Sequence, residues 1–200
     1  MTHLTHYQEI TLLPDSDIGP YFIWGKVFTQ LHIALADIKN KQGVQSIGVS
    51  FPDYHYDKSG KTSKLGNKLR VFATTQDDLV KLDLEKWLGR LMDYVHIKSI
   101  KEVPADIKGY VTVQRYRFRP KDLQAQSLSR KLGISLSDAI STVEKREPEK
   151  QLPFIQLSSI TNKTPFQLKV LQQSAEESSK GDFNSYGMNG MSGSTTVPAW

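Results

Sequence analysis

The chain has 200 residues, 38% apolar and 24% charged, so its bulk folds around a core and is not disordered. It has no cysteine, which excludes disulfides, thiolate metal sites and cysteine nucleophiles, and no apolar run approaches the ~20 residues of a membrane span. The net charge of +5 is concentrated: residues 108–131 carry Lys108, Arg115, Arg117, Arg119, Lys121, Arg130 and Lys131 against Asp122 alone, and the flanking segments are nearly neutral. A basic block on a neutral body has two readings, a polyanion contact or a solvated basic face.

In chain order, Tyr7–Leu13 predicts a strand that stops at Pro14. Residues 18–39 predict a long helix, because Trp24, Val27, Phe28, Leu31, Leu35 and Ile38 form one apolar stripe. Val44–Phe51 alternates as a strand, 53–67 is a polar loop, and Leu69–Thr74 is the next strand. A second amphipathic helix is expected over 76–91 and a fourth strand over 93–103. The order β-α-β-β-α-β predicts an α+β protein with an N-terminal ferredoxin-like domain at 1–104. The aromatic signature of sheet-face RNA readers is missing from LRVFATT. Residues 105–200 predict a smaller, irregular α/β domain. Val113–Arg119 alternates, Pro120 to Gly133 brackets a short helix, and Ser135 with Asp138 resembles a capping box for another. Strands follow at Leu152–Leu157 and Phe166–Gln172, then a tail rich in Ser, Gly and Asn.

If VQRYRFR is extended, Arg115, Arg117 and Arg119 project from one side, roughly 6.5–7 Å apart, near the phosphate spacing of a nucleic-acid strand. Tyr116 and Phe118 then point the other way. A guanidinium fork suits phosphate or a guanine edge, but the same row would also protect a sheet edge. On the following helix Gln124, Ser127 and Lys131 share a face, with Arg130 beside it, while Leu128 and Leu132 mark the face that packs. His32 borders the apolar stripe of the long helix. Alone it reads as a boundary histidine. Near a basic groove it is also a base able to take the proton of a ribose 2′-OH. The five histidines never fall at metal-ligand spacing, so no metal and no cofactor are expected. The opening MTHLTHYQE has neither a basic start nor an apolar stretch, so a cytoplasmic protein without a secretory signal is expected, with no membrane partner.

Several segments in fixed order resemble the type I-F CRISPR-associated endoribonucleases, the Csy-four or Cas-six-f family. HYQEITLLPD resembles the first strand, VFTQLHIALA the histidine-bearing helix, and IGVSFPDY followed by LGNKLRVFA the most specific signature. SYGMNGMSGSTTVPAW resembles the C-terminal Tyr-Gly segment that runs to a Val-Pro. The resemblance implies a ferredoxin-like domain joined to an RNA-gripping C-terminal domain. It implies an enzyme that cuts precursor RNA 3′ of a CRISPR repeat hairpin without metal and leaves a 2′,3′-cyclic phosphate. Such an enzyme stays on the crRNA stem, joins the other subunits of the surveillance complex and is monomeric when free. The alternative within that family is a catalytically weak subunit that caps the hairpin.

By position, the resemblance puts the catalytic histidine on His32, the ribose-holding serine on Ser159 (with Ser158 one residue away) and the histidine-orienting tyrosine on Tyr186. The base-stacking aromatic falls on Phe166, and the base readers of the linker on Arg115 and Arg117. Arg119, Lys121, Gln124, Arg130, Lys131 and Thr161 complete the expected RNA contacts. The chain departs from the family pattern at Arg117, where a glutamine is usual. A guanidinium only donates, so the pair read there differs. The arginine-rich helix is thinned to Arg130 and Lys131, and Thr161 stands where a second serine is usual. Fewer phosphate contacts imply weaker, less salt-sensitive binding.

Overall fold

The first strand, β1 (His6–Leu12), is central in its sheet, which is why its polar residues Gln8 and Glu9 are buried alongside Ile10. The computed structural model in which this is seen describes residues 3–59, 62–146, 148–159 and 162–200. The long helix α1 (Pro20–Gln42) carries proline in its first turn and buries the predicted stripe, with Trp24, Val27, Phe28, Leu31, Leu35 and Ile38 almost wholly enclosed. β2 (Gly48–Ser50), β3 (Lys68–Ala73), β4 (Val95–Ile97) and β5 (Lys101–Glu102) complete the sheet, in the antiparallel order β2-β3-β1-β4 with β5 also on β1. That order around two helical crossovers is the ferredoxin-like topology.

Three local expectations need correction. The strand expected over Val44–Phe51 pairs only at β2, because the backbone N–H and C=O of Phe51 bond to the Gln172 side chain instead (2.9 and 3.0 Å). The helix expected over 76–91 is split into α2 (Gln76–Leu82) and α3 (Leu84–Leu88) with a short 3₁₀ turn at Gly89–Leu91. Asp83 adopts left-handed backbone angles there, closes α2, and accepts from Lys86 N to open α3. The strand expected over 93–103 is interrupted between β4 and β5, and within that gap Lys98 N still donates to Glu9 O (2.9 Å).

A second antiparallel sheet has the order β7-β8-β6-β9, from β6 (Gly109–Tyr116), β7 (Phe154–Ser158), β8 (Pro165–Ala175) and β9 (Thr196–Ala199). Val113, Ile155, Leu168, Val170 and Val197 on this sheet share one core with Leu31, Val49 and Phe51. Compactness therefore groups the chain differently from a boundary at residue 104: one unit is Met1–Tyr116 with Leu152–Trp200, the other Arg117–Gln151. β6 also begins earlier than expected and ends at Tyr116, so only Arg115 of the three arginines lies on a strand.

The smaller unit contains α4 (Lys121–Leu132) and α5 (Leu136–Glu144) packed on each other through Ala125, Ala139 and Val143, with Leu128 and Ile134 at the margin. Ser135 caps α5 as its spacing to Asp138 predicts, accepting from Asp138 N at 3.1 Å. Leu132 does not pack: it is 59% exposed, and the buried residue of α4 is Ala125. Among the described residues no helix is long and apolar enough to cross a membrane.

Candidate functional site

The geometry that matters begins with a close approach. Gly25 of α1 lies against β7 so tightly that a Cβ there would meet the Gln156 carbonyl oxygen at 2.7 Å. No residue larger than glycine lets the helix sit this near the strand. Two turns on, His32 is brought beside the end of that strand. One wall of a cleft of about 580 Å³ is Thr29 and His32, and the rest is Leu157, Ser158, Ser159, Phe166, Arg115 and Tyr186. Four stretches far apart in the chain, α1, β6, the β7-β8 hairpin and the segment at Tyr186, therefore converge on one concavity, and the residues expected from the sequence to be catalytic all line it.

His32 is half-buried and held on two sides. Its Nδ1 lies 2.8 Å from the Ser185 carbonyl oxygen. A carbonyl only accepts, so the hydrogen bond assigns the proton of the neutral ring to Nδ1 and leaves Nε2 with the lone pair. The Tyr186 ring stacks on the imidazole with centroids 4.2 Å apart and planes 9° from parallel. Arg115 extends the stack, its guanidinium carbon 5.1 Å from the Tyr186 centroid and 5.3 Å from that of Phe166. Both candidate serines line the cleft, and Ser159 Oγ accepts from Asn162 N at 3.5 Å.

The loop that supplies both partners of His32 is built by a residue the sequence reading missed. Asn184 Oδ1 accepts from Tyr186 N (2.8 Å) and Met188 N (3.4 Å), and the Asn184 backbone bonds to Met188 and Gly187. Gly187 has φ +70°, and a Cβ on it would lie 2.7 Å from Val49 Cγ1, so this turn too requires glycine. The buried Asn189 then fastens the loop to β6, donating its N–H to Val113 O and accepting from Arg115 N. Asparagine two residues before the Tyr-Gly pair is the signal that could have found this turn. Thr29, three residues before His32 on the same helix face, was also missed. Its hydroxyl donates to Gly25 O at 2.7 Å.

The remaining expected RNA contacts, Thr161 apart, belong to the smaller unit. Arg117, Arg119, Arg130 and Lys131 are exposed there. Lys121 donates to Glu144 O (3.0 Å) at the end of α5, and Gln124 bridges Arg119 O (2.6 Å) and the Arg146 guanidinium (3.1 Å). Arg146 was not expected and joins this basic group. Thr161 lies outside the described residues.

Away from the cleft, Glu9 is the most enclosed charge of the first sheet, 2.9 Å from Arg70 Nε and 2.6 Å from Lys98 Nζ. Burial pushes its carboxyl up, but the hydrogen bonds from Lys98 and Arg70 outweigh that and hold it below the usual carboxylate range. Arg70 also lies 3.9 Å over the Trp200 ring and donates to Trp200 O.

Residues 7–200 match the family described as CRISPR-associated protein (Cas_Csy4). A "CRISPR-associated endonuclease Cas6/Csy4" of Pseudomonas aeruginosa (strain UCBPP-PA14) is 33% identical over 197 residues, covering 93% of this chain and 96% of its own. One of the same name from Escherichia coli (strain UTI89 / UPEC) is 29% identical over 198 residues, covering 98% of this chain and 99% of its own. A solved RAMP protein described as binding different RNA substrates covers 99% of this chain and 100% of its own, at 14% identity and a TM-score of 0.37, too remote to bear on function.

Proposed function

The chain belongs to the Cas_Csy4 family of CRISPR-associated proteins, and on that premise we propose that it is a metal-independent endoribonuclease that cuts CRISPR precursor RNA 3′ of a repeat hairpin. The observation that carries the reading is the setting of His32: Nδ1–H given to the Ser185 carbonyl, the ring stacked on Tyr186, and the cleft shared with Ser159 and Phe166. A ring held in that way has one nitrogen committed and one available as a base.

In the proposed reaction the His32 Nε2 takes the proton of the ribose 2′-OH at the foot of the stem. The 2′-oxygen attacks the adjacent phosphorus, and the bond from phosphorus to the 5′-oxygen breaks. The His32 imidazolium or a water returns a proton to that oxygen. The products are a 2′,3′-cyclic phosphate and a 5′-hydroxyl, and the RNA supplies its own nucleophile. Ser159 holds the ribose, Tyr186 keeps the imidazole in plane, Phe166 takes the terminal base on its ring, and Arg115 supplies positive charge beside it. Alignment for in-line attack supplies much of the rate. Arg117 reads a base pair of the stem, Arg119, Lys121, Arg130 and Lys131 bind stem phosphates, and Gln124 shapes the loop that carries Arg119. The protein keeps the product stem and docks with other subunits of the surveillance complex.

The test uses the repeat hairpin of a neighbouring CRISPR array, wild-type and His32→Ala protein, and excess EDTA, with product ends resolved. A single cut 3′ of the stem with a cyclic phosphate, absent in the variant while stem binding persists, is the expected result. Tight binding with no cut by either protein would make the chain a hairpin-capping subunit. Binding lost together with cutting would make His32 a structural residue.

A further inference from the structure

The catalytic cleft continues past its serines. A second concavity of about 540 Å³ shares Thr29, Leu157, Ser158 and Ser159 with the first and runs on to Tyr21, Phe22, Lys26, Gln156 and Lys163. No carboxylate is among the described residues that line it. Lys26 and Lys163 are exposed, and neither forms an ion pair among the described residues. Lys26 Nζ lies 5.0 Å from the Phe22 ring centroid. Phe22 and Tyr21 are 59% and 56% exposed, unusual for aromatic rings on a helix whose other large apolar residues are enclosed. The Tyr21 ring lies 6.5 Å from that of Phe154, and two cations interleaved with two exposed aromatic rings, on a track with no opposing charge among the described residues, are the composition of a single-stranded nucleic-acid groove.

The orientation follows from what the two concavities do not share. Phe166, Arg115 and Tyr186 lie only in the first, Tyr21, Phe22, Lys26 and Lys163 only in the second. On the reading above, the base that precedes the cut rests on Phe166, and the scissile phosphate lies between His32 and Ser159. The strand beyond the phosphate must leave on the other side. We propose that this groove takes the single-stranded RNA segment 3′ of the cut, with Lys26 and Lys163 on its phosphates and Phe22 and Tyr21 under its bases. The inference rests on the assignment of the cut to His32. The segment is held only until the chain is broken, since the bond that tethers it to the stem is the bond that is cleaved.

Two hairpins test it, one ending at the cleavage point and one carrying eight further 3′ nucleotides, both with a 2′-deoxyribose at the nucleophile so that neither is cut. Each phosphate contact on a single strand adds ~0.7 to the slope of log affinity against log salt, so two lysines steepen it by about 1.4. One stacked base adds roughly five- to tenfold in affinity, the low end for aromatic platforms. The wild-type protein is expected to bind the extended hairpin about tenfold tighter, with that steeper slope. The Lys26→Ala/Lys163→Ala variant loses the slope difference and Phe22→Ala most of the affinity difference, and both bind the shorter hairpin as wild type does. Equal binding of the two RNAs would overturn the proposal. Cutting of the all-ribose hairpin is followed in parallel. Cutting without any gain from the extension defeats the groove alone, and a gain without cutting defeats the catalytic assignment alone.

Discussion

Replacing Asn184 by alanine tests whether the loop around Tyr186 is what makes His32 a base. The substitution removes the acceptor of the Tyr186 N–H at 2.8 Å and of the Met188 N–H at 3.4 Å, and a long donation from Asn184 Nδ2 to Asn189 O (3.4 Å), while the backbone bonds from Gly187 N to Asn184 O and from Asn184 N to Met188 O remain. The turn therefore loosens without melting. Stranding a buried donor costs about 1–3 kcal/mol, and Tyr186 is only half-buried, so about 1–2 kcal/mol is expected to oppose the competent loop. At 1.36 kcal/mol per factor of ten, single-turnover cleavage with saturating protein should fall roughly 5- to 30-fold. Stem affinity should stay within about twofold, because Asn184 does not line the cleft. Asn184→Asp keeps the accepting oxygen and should recover most of the rate. Cleavage at the wild-type rate in Asn184→Ala, or an Asn184→Asp variant as slow as the alanine, would refute the argument. Stem affinity falling in step with rate would refute it as well.

Gly25→Ala places a methyl 2.7 Å from Gln156 O, an overpacking cost of about 1–3 kcal/mol that exceeds the helix propensity gained. Denaturant melts should show net destabilisation together with slower cutting; a more stable protein would show that the helix has room to move. Glu9→Gln breaks the enclosed pairing with Arg70 and Lys98, and about 3 kcal/mol of stability should be lost at neutral pH. The Glu9 carboxyl titrates below its unfolded value, so its contribution is present above the usual carboxylate range and disappears as pH falls through the depressed value. The gap between wild type and Glu9→Gln should therefore close only in acid. A gap independent of pH would mean that lost packing, and not the charge, is responsible.

The elements that local pattern governs were legible in the sequence. The stripe from Trp24 to Ile38 gave α1, Ser135 with Asp138 gave the start of α5, and the strand readings at Tyr7–Leu13, Leu69–Thr74 and Phe166–Gln172 gave β1, β3 and β8. Where tertiary bonds compete, the pattern misled: Phe51 prefers the Gln172 side chain to a strand partner, and Asp83 breaks a helix that its neighbours would continue. The site divides in the same way. His32 stands out on its helix, but nothing local joins it to Ser185, 153 positions away. Ser159 and Tyr186 were found through family motifs and not through periodicity. Asn184, Thr29 and Gly25 act through hydrogen bonds and contact distances, which leave no periodic trace.

The long span between His32 and its partners also bears on when the site comes into being. The helix that carries the histidine belongs to the early part of the chain, and its first sheet can begin to form once β4 and β5 have emerged. The carbonyl and the ring that hold the imidazole arrive only with residues 184–189, after the whole basic window has been made. A nascent or truncated chain that stops short of this loop can present cations to RNA, yet its histidine has no fixed tautomer. Closing so long a loop is also slow compared with forming local helices. Grip on RNA should therefore precede the power to cut it as the chain is made.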